Sequence, residues 1–130
     1  MHKDIKVLLV DDFSTMRRII KKLLNEIGFK RIIEAEDGSE ALRILKAGDI
    51  DFLVTDWNMP KMSGMELLEA VRANPQLSRL PVLMVTAESN RDQITRAAMA
   101  GVNGYVVKPF SAATLQEKIE RIFQRLNSNK

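Results

Sequence analysis

Four short apolar runs punctuate the chain, and each ends in a polar residue that packing alone would not select. Ile5 to Val10 leads into Asp11-Asp12, Phe52 to Thr55 into Asp56, Val82 to Val85 into Thr86, and Tyr105 to Val107 into Lys108. Helical periodicities lie between them. Met16, Ile19, Ile20, Leu23, Leu24 and Ile27 recur at helical spacing and stop at Gly28. Arg31 to Ala35 is a weaker strand candidate. Asp37 and Glu40 give a capping-box-like start to a helix with Ala41, Leu42, Ile44 and Leu45, ending at Gly48. Ser63 and Glu66 form a capping box ahead of Leu67, Leu68 and Val71, and Asn74-Pro75 ends that helix. From Asn90 a helix carries Ile94, Ala97 and Ala98 and stops at Gly101. Ser111 caps a last one with Leu115, Ile119, Ile122, Phe123 and Leu126 facing inward.

Strands alternating with helices through short connections predict an α/β fold, a five-stranded parallel sheet covered on both faces by five helices. In open sheets of this kind ligands bind outside the carboxyl ends of the strands. The polar endings of the four runs would meet at that edge.

Composition narrows the chemistry. A chain of 130 residues is expected to be a single domain, residues 1–130, with no linker and no output module. There is no cysteine, which excludes disulfides and thiolate catalysis, and the one histidine is His2, beside the terminus. Histidine triads and histidine-rich metal sites are thereby disfavoured, as is a phosphohistidine carrier. No signal-peptide pattern or membrane-length apolar run is present, so a cytoplasmic location is expected. The net charge of +3 permits nucleic-acid binding without arguing for it. Arg17, Arg18, Lys21 and Lys22 read as a solvated basic helix face, with no reading helix, arm or aromatic platform beside them. Neither nucleic acid nor membrane is an expected partner.

Three carboxylates in one pocket repel. Two charges about 4 Å apart cost on the order of 4 kcal/mol at an effective dielectric near 20. One acid must stay protonated or a cation must enter. An oxygen-only donor set suits Mg²⁺, which takes one or two carboxylates and keeps several waters. Formally, three carboxylates against Mg²⁺ and Lys108 sum to zero, a balance that can accept a phosphoryl group. A carboxylate would then act as nucleophile and form an aspartyl phosphate. The metal, Lys108 and the Thr86 hydroxyl would each hold one phosphoryl oxygen. Spacing does not fix which aspartate attacks. Asp56 is the better candidate, because Asp11 and Asp12 are adjacent and resemble a metal-holding pair.

The segments that carry these residues resemble response-regulator receiver domains. They are Val-Asp-Asp-Phe-Ser-Thr-Met-Arg-Arg at 10–18, Thr-Asp-Trp-Asn-Met-Pro at 55–60, Pro-Val-Leu-Met-Val-Thr-Ala-Glu at 81–88 and Gly-Tyr-Val-Val-Lys-Pro-Phe at 104–110. The flanking residues are most similar to the chemotaxis members of that family, and the resemblance runs from Ile5 to Leu126. It implies a doubly wound, flavodoxin-like sheet of order 2-1-3-4-5, the order for which a chemotaxis receiver is itself a standard example. It also implies that Asp56 is the phosphoacceptor and that Thr86 and Lys108 bind phosphoryl oxygens. Asp12, Asp56 and the Asn58 carbonyl would ligate Mg²⁺, with Asp11 reaching it through water. Asn58 and Glu88 would tune hydrolysis of the acyl phosphate. Tyr105 would be the switch residue, on a partner face that includes Ile94 and Lys118. The Lys108-Pro109 bond would be cis.

The function implied is that of a monomeric signalling protein, not an enzyme beyond its own phosphorylation and dephosphorylation. Its implied partners are a chemotaxis histidine kinase, the flagellar motor switch and a dedicated phosphatase. The alternative within the family is a stand-alone receiver in another relay, serving as phosphate sink or adaptor. Two other classes fit less well. A haloacid-dehalogenase-like phosphatase needs an aspartate where Asn58 stands, and a flavodoxin-like carrier needs a Ser/Thr/Gly-rich loop where Asp11-Asp12 stands. Ser63, Ser89-Asn90 and Thr95-Arg96 depart from the family pattern, the last two on the partner face. Trp57, beside the acceptor, reads as a cover for the loop.

Overall fold

Alternation of side chains along the strands decides the layers. The structure, a computed structural model, describes residues 4–87 and 90–128. Strands β1 (Lys6–Val10), β2 (Arg31–Ala35), β3 (Phe52–Asp56), β4 (Val82–Thr86) and β5 (Gly104–Val107) form one parallel sheet in the order β2-β1-β3-β4-β5. Successive side chains point to opposite faces. Val7, Leu9, Phe52, Val54, Leu83 and Val85 therefore enter one core, and Leu8, Val10, Leu53, Val82 and Met84 the other.

Helices α1 (Ser14–Ile27) and α5 (Ala112–Ser128) close the first core with Ile20, Leu24, Leu115 and Ile119. Helices α2 (Gly38–Ala47), α3 (Gly64–Ala73) and α4 (Arg91–Met99) close the second with Ala41, Leu45, Leu67, Leu68 and Ala97. The inner strands are covered on both faces, which is why they read as unbroken apolar runs. β2 lies at an edge and exposes Arg31 and Glu34, so its signal is the weakest. The architecture is the expected doubly wound one.

Helix starts follow local chemistry. The Ser63 hydroxyl accepts from the Glu66 amide at 3.1 Å, and the Glu66 carboxylate accepts from the Ser63 amide at 3.0 Å, completing the predicted box. At α2, Asp37 accepts from the Glu40 amide at 2.8 Å. The Glu40 carboxylate, however, returns to the Glu36 amide at 2.7 Å instead of to Asp37. Two residues of the apolar helical patterns do not face the core. Ile19 is 47% exposed, because the buried stripe of α1 is the narrow set Ile20, Leu24 and Ile27. A helix turns about 100° per residue, which swings Ile19 away from that stripe. Ala98 is likewise exposed, and α4 rests on the sheet through Ala97.

The start of α3 bears directly on β3. The Gly64 amide donates to the Trp57 carbonyl at 2.7 Å, and a Cβ on Gly64 would run into the Asp56 carbonyl oxygen. That close approach locks the strand end carrying Asp56 against the helix. Gly64→Ala is expected to destabilise the fold by about 1–3 kcal/mol in urea unfolding. An unchanged midpoint would show that the approach is not tight.

Candidate functional site

The four polar endings do meet at the carboxyl edge of the sheet. Val10 is in register with Thr55, Asp56 with Val85, and Thr86 with Val107, so Asp11, Asp56, Thr86 and Lys108 leave neighbouring strands at similar heights. The carboxylates of Asp11, Asp12 and Asp56 can bring oxygens within 4.8 Å of one another. Asp11 is fully buried, Asp56 half-buried and Asp12 exposed.

Lys108 is the counter-charge. Its ammonium lies 3.4 Å from Asp11 Oδ2 and 3.5 Å from Asp56 Oδ1. Its amide donates to the Thr86 carbonyl at 2.8 Å, which extends the β4–β5 ladder by one step and fixes where the side chain departs. The Lys108-Pro109 peptide is cis. Three negative charges and one positive leave two negative charges uncompensated among these side chains.

Two of the three carboxylates are also held by backbone. Asp11 Oδ1 accepts from the Phe13 amide at 2.9 Å, and the Asp11 amide donates to the Ala35 carbonyl at 3.2 Å. The pair Asp11-Asp12 is therefore not the N-cap of α1. Phe13 occupies that position without a side-chain cap. Asp56 Oδ1 accepts from the Trp57 amide at 2.8 Å, and the buried Thr55 hydroxyl donates to the Asp56 carbonyl at 3.0 Å. Burial pushes the Asp56 carboxyl above its usual range; Lys108 pulls it down, Asp11 adds to the rise, and the rise prevails.

The remaining expected residues fall into two groups. Thr86 is fully buried at the end of β4, and Asn58 is exposed in the loop beyond Asp56. Glu88 lies outside the described residues. Tyr105 is half-buried on β5, away from the acidic cluster, and with Ile94 and Lys118 it lines a groove of about 480 Å³ between α4 and α5. Two residues, Trp57 and Arg17, make contacts not encoded in the local sequence pattern. Trp57 is buried, its ring edge-to-face with Tyr105 at 6.4 Å, and the Arg96 guanidinium sits 5.9 Å over its indole. Arg17, expected to be solvated, is largely covered and donates to the Asp11 carbonyl at 2.8 Å. Charge pattern alone could not separate Arg17 from Arg18. The available signal was that Arg17 stands one turn into α1, within reach of the strand end it follows.

This arrangement fits a hard divalent cation. The donors are all oxygens, they converge, and burial makes an ionised Asp56 unfavourable unless a cation offsets it.

Residues 7–120 match the family model described as response regulator receiver domain. The chain is 66% identical over 122 residues to the chemotaxis protein CheY of Pseudomonas aeruginosa, covering 94% of this chain and 98% of that one. Among solved structures it superposes on the chemotaxis protein CheY4 of Vibrio cholerae with a TM-score of 0.84 at 34% identity, covering 92% and 98% of the two chains. It also superposes on the receiver domain of a Pseudomonas aeruginosa sensor histidine kinase that has a magnesium ion coordinated in its active site cleft. There the TM-score is 0.82 at 28% identity, covering 91% and 96%.

A raised Asp56 pKa has a thermodynamic sign. Folding favours the protonated carboxyl, so without metal its contribution is present at low pH and is lost as pH rises through the raised value. In EDTA at neutral pH, Asp56→Asn is expected to melt a few degrees above the parent, the gap closing as pH falls below the ordinary carboxylate range. A variant that melts lower at neutral pH would contradict this electrostatic account.

Proposed function

The chain belongs to the response-regulator receiver family, among the CheY-type chemotaxis regulators, and from that premise we propose that Asp56 accepts a phosphoryl group from a histidine kinase and that the phosphorylated protein binds the flagellar motor switch. The observation that carries this reading is the convergence of Asp11, Asp12 and Asp56 around the Lys108 ammonium at the sheet edge. Members of the family are signalling regulators, not classical enzymes, and the chemistry needed here is self-modification.

Asp12, Asp56 and the carbonyl of Asn58 would hold Mg²⁺, with Asp11 joined through water. When bound, the ion supplies the positive charge that three carboxylates lack and that a phosphoryl oxygen needs. The Trp57 amide and Lys108 both engage Oδ1 of Asp56, which leaves Oδ2 to attack phosphorus. An O–P bond forms as the N–P bond to the donor imidazole breaks; the imidazole nitrogen keeps the electron pair and takes a proton from solvent. Lys108 turns from its carboxylate neighbours to a phosphoryl oxygen, and Thr86 donates its hydroxyl to another. Hydrolysis reverses the gain. Water attacks phosphorus, the bond to Asp56 breaks, and inorganic phosphate leaves with the carboxylate restored. Asn58, exposed beside the acceptor, and Glu88 govern that water's access.

The signal would leave through β4 and β5. Met84 is in register with Tyr105, so a shift of Thr86 toward the phosphoryl group changes the space beside the Tyr105 ring. Tyr105, Ile94 and Lys118 share the α4–α5 groove, and Lys118, Arg121 and Arg125 give its α5 side a positive charge suited to an acidic target segment. Among the described residues no helix is long and apolar enough to cross a membrane. In this reading the protein works as a monomer in the cytoplasm. A dedicated phosphatase would then reset the signal.

Acetyl phosphate with Mg²⁺ should add one phosphate-sized mass to the intact chain, and EDTA or Asp56→Asn should prevent it. No mass gain in the parent would sink the proposal. With acetyl phosphate present, affinity for a flagellar switch peptide should rise roughly tenfold or more, within the usual range of coupling between sites. Lys118→Glu should weaken that binding while leaving phosphorylation intact; equal peptide binding with and without phosphorylation would remove the gating.

A further inference from the structure

Four cations stand on one face of α1, yet one of them is not solvated. The Arg17 side chain is 14% exposed against 41% for Lys21, and Arg18 and Lys22 are exposed, with no ion pair to either among the described residues. All three guanidinium nitrogens of Arg17 face oxygens. Nη1 donates to the Asp11 carbonyl at 2.8 Å, Nε donates to Glu34 Oε1 at 3.0 Å, and Nη2 lies 3.9 Å from Glu36 Oε1. Glu34 is fixed in turn, its second oxygen accepting from Lys21 at 3.1 Å. Burial works to raise the Glu34 pKa, but Lys21 and Arg17 outweigh it and hold the carboxyl below its usual range, so the anchor stays ionised.

The carbonyl that Arg17 grips lies where β1 ends. Inside a sheet that oxygen would face a neighbouring strand; here the chain turns toward α1. The peptide between Asp11 and Asp12 takes its direction from that carbonyl, and the exposed Asp12 carboxylate departs from the same peptide. We propose that Arg17 is a positioning residue of the cation site: its guanidinium fixes the Asp11–Asp12 peptide, and Glu34 on the edge strand fixes the guanidinium. This rests on the Mg²⁺ reading above and adds a residue of α1 and one of β2 to that site.

Electrostatics and positioning predict opposite signs. As a bare charge, a guanidinium near three carboxylates competes with a cation, and its removal should tighten Mg²⁺ binding. As a positioner, its loss should loosen binding, because the acidic pair is no longer preorganised. Lysine keeps the charge and loses the planar fork.

The test is a titration with Mg²⁺ alone, followed by the fluorescence of Trp57, the one tryptophan, whose amide bonds Asp56. Parent, Arg17→Gln, Arg17→Lys and Glu34→Gln are compared, with melting in EDTA to confirm that each is folded. Arg17→Gln and Arg17→Lys should each raise the half-saturating Mg²⁺ concentration roughly tenfold, the low end of what outer-shell partners of metal ligands contribute. Glu34→Gln should raise it less. Phosphorylation rates by acetyl phosphate should differ at low Mg²⁺ and converge at saturation, a pattern that mere destabilisation does not produce. Unchanged or tighter binding in Arg17→Gln, or parent-like binding in Arg17→Lys, overturns the inference. If Arg17→Gln does not fold, parent-like binding in both other variants overturns it. A parent that binds no Mg²⁺ removes the functional reading itself, whereas equal binding by parent and variants removes only the role of Arg17.

Discussion

Like-charge repulsion at one edge of the sheet is the constraint around which the molecule is organised. Asp11, Asp12 and Asp56 are brought within 4.8 Å of one another by strands whose register follows from their burial, not from any affinity between the acids. Val7 to Val10 and Phe52 to Thr55 are packed on both faces and cannot slip without exposing apolar surface. The repulsion is therefore carried by the core. Lys108 offsets part of it at 3.4 and 3.5 Å, distances long enough for the ammonium to be released to another anion. Under the proposed function, this cost in the empty site is what the joint entry of a cation and a phosphoryl group would relieve.

The same edge explains how a local charge change can be felt on another face. Trp57 connects Asp56 to α4 and β5, since its amide bonds Asp56 and its ring meets both Tyr105 and Arg96. α4 is the helix least anchored in the core, with Ala97 as its buried residue. A weakly anchored helix beside a half-buried aromatic ring is the kind of element whose packing can have two arrangements. Arg96 of this helix lies over the Trp57 indole.

Much of this was legible in the sequence because the signals were redundant. Inner strands announced themselves as unbroken apolar runs, capping boxes marked helix starts, and site residues stood at strand ends where parallel topology gathers them. What escaped detection depended on three-dimensional neighbours. Ile19 and Ile20 are both apolar, and only the narrowness of the α1 contact separates exposed from buried. Arg17 and Arg18 are the same residue type, yet it is Arg17 that reaches the Asp11 carbonyl and Glu34. Phe13 stands at the N-cap of α1 with no capping side chain, and its own amide donates to Asp11 Oδ1 instead. Glu40 turned to the amide of Glu36, not Asp37, a one-residue choice that spacing does not encode.

Metal and phosphoryl group are held to enter one balanced site together. Calorimetric titration with beryllofluoride, a phosphoryl mimic that needs no kinase and does not hydrolyse, tests this most directly. The expected result is one mimic bound per chain with Mg²⁺ present, negligible binding in EDTA, and none to Asp56→Asn under either condition. Binding that is equally tight without Mg²⁺, or that survives Asp56→Asn, would contradict it.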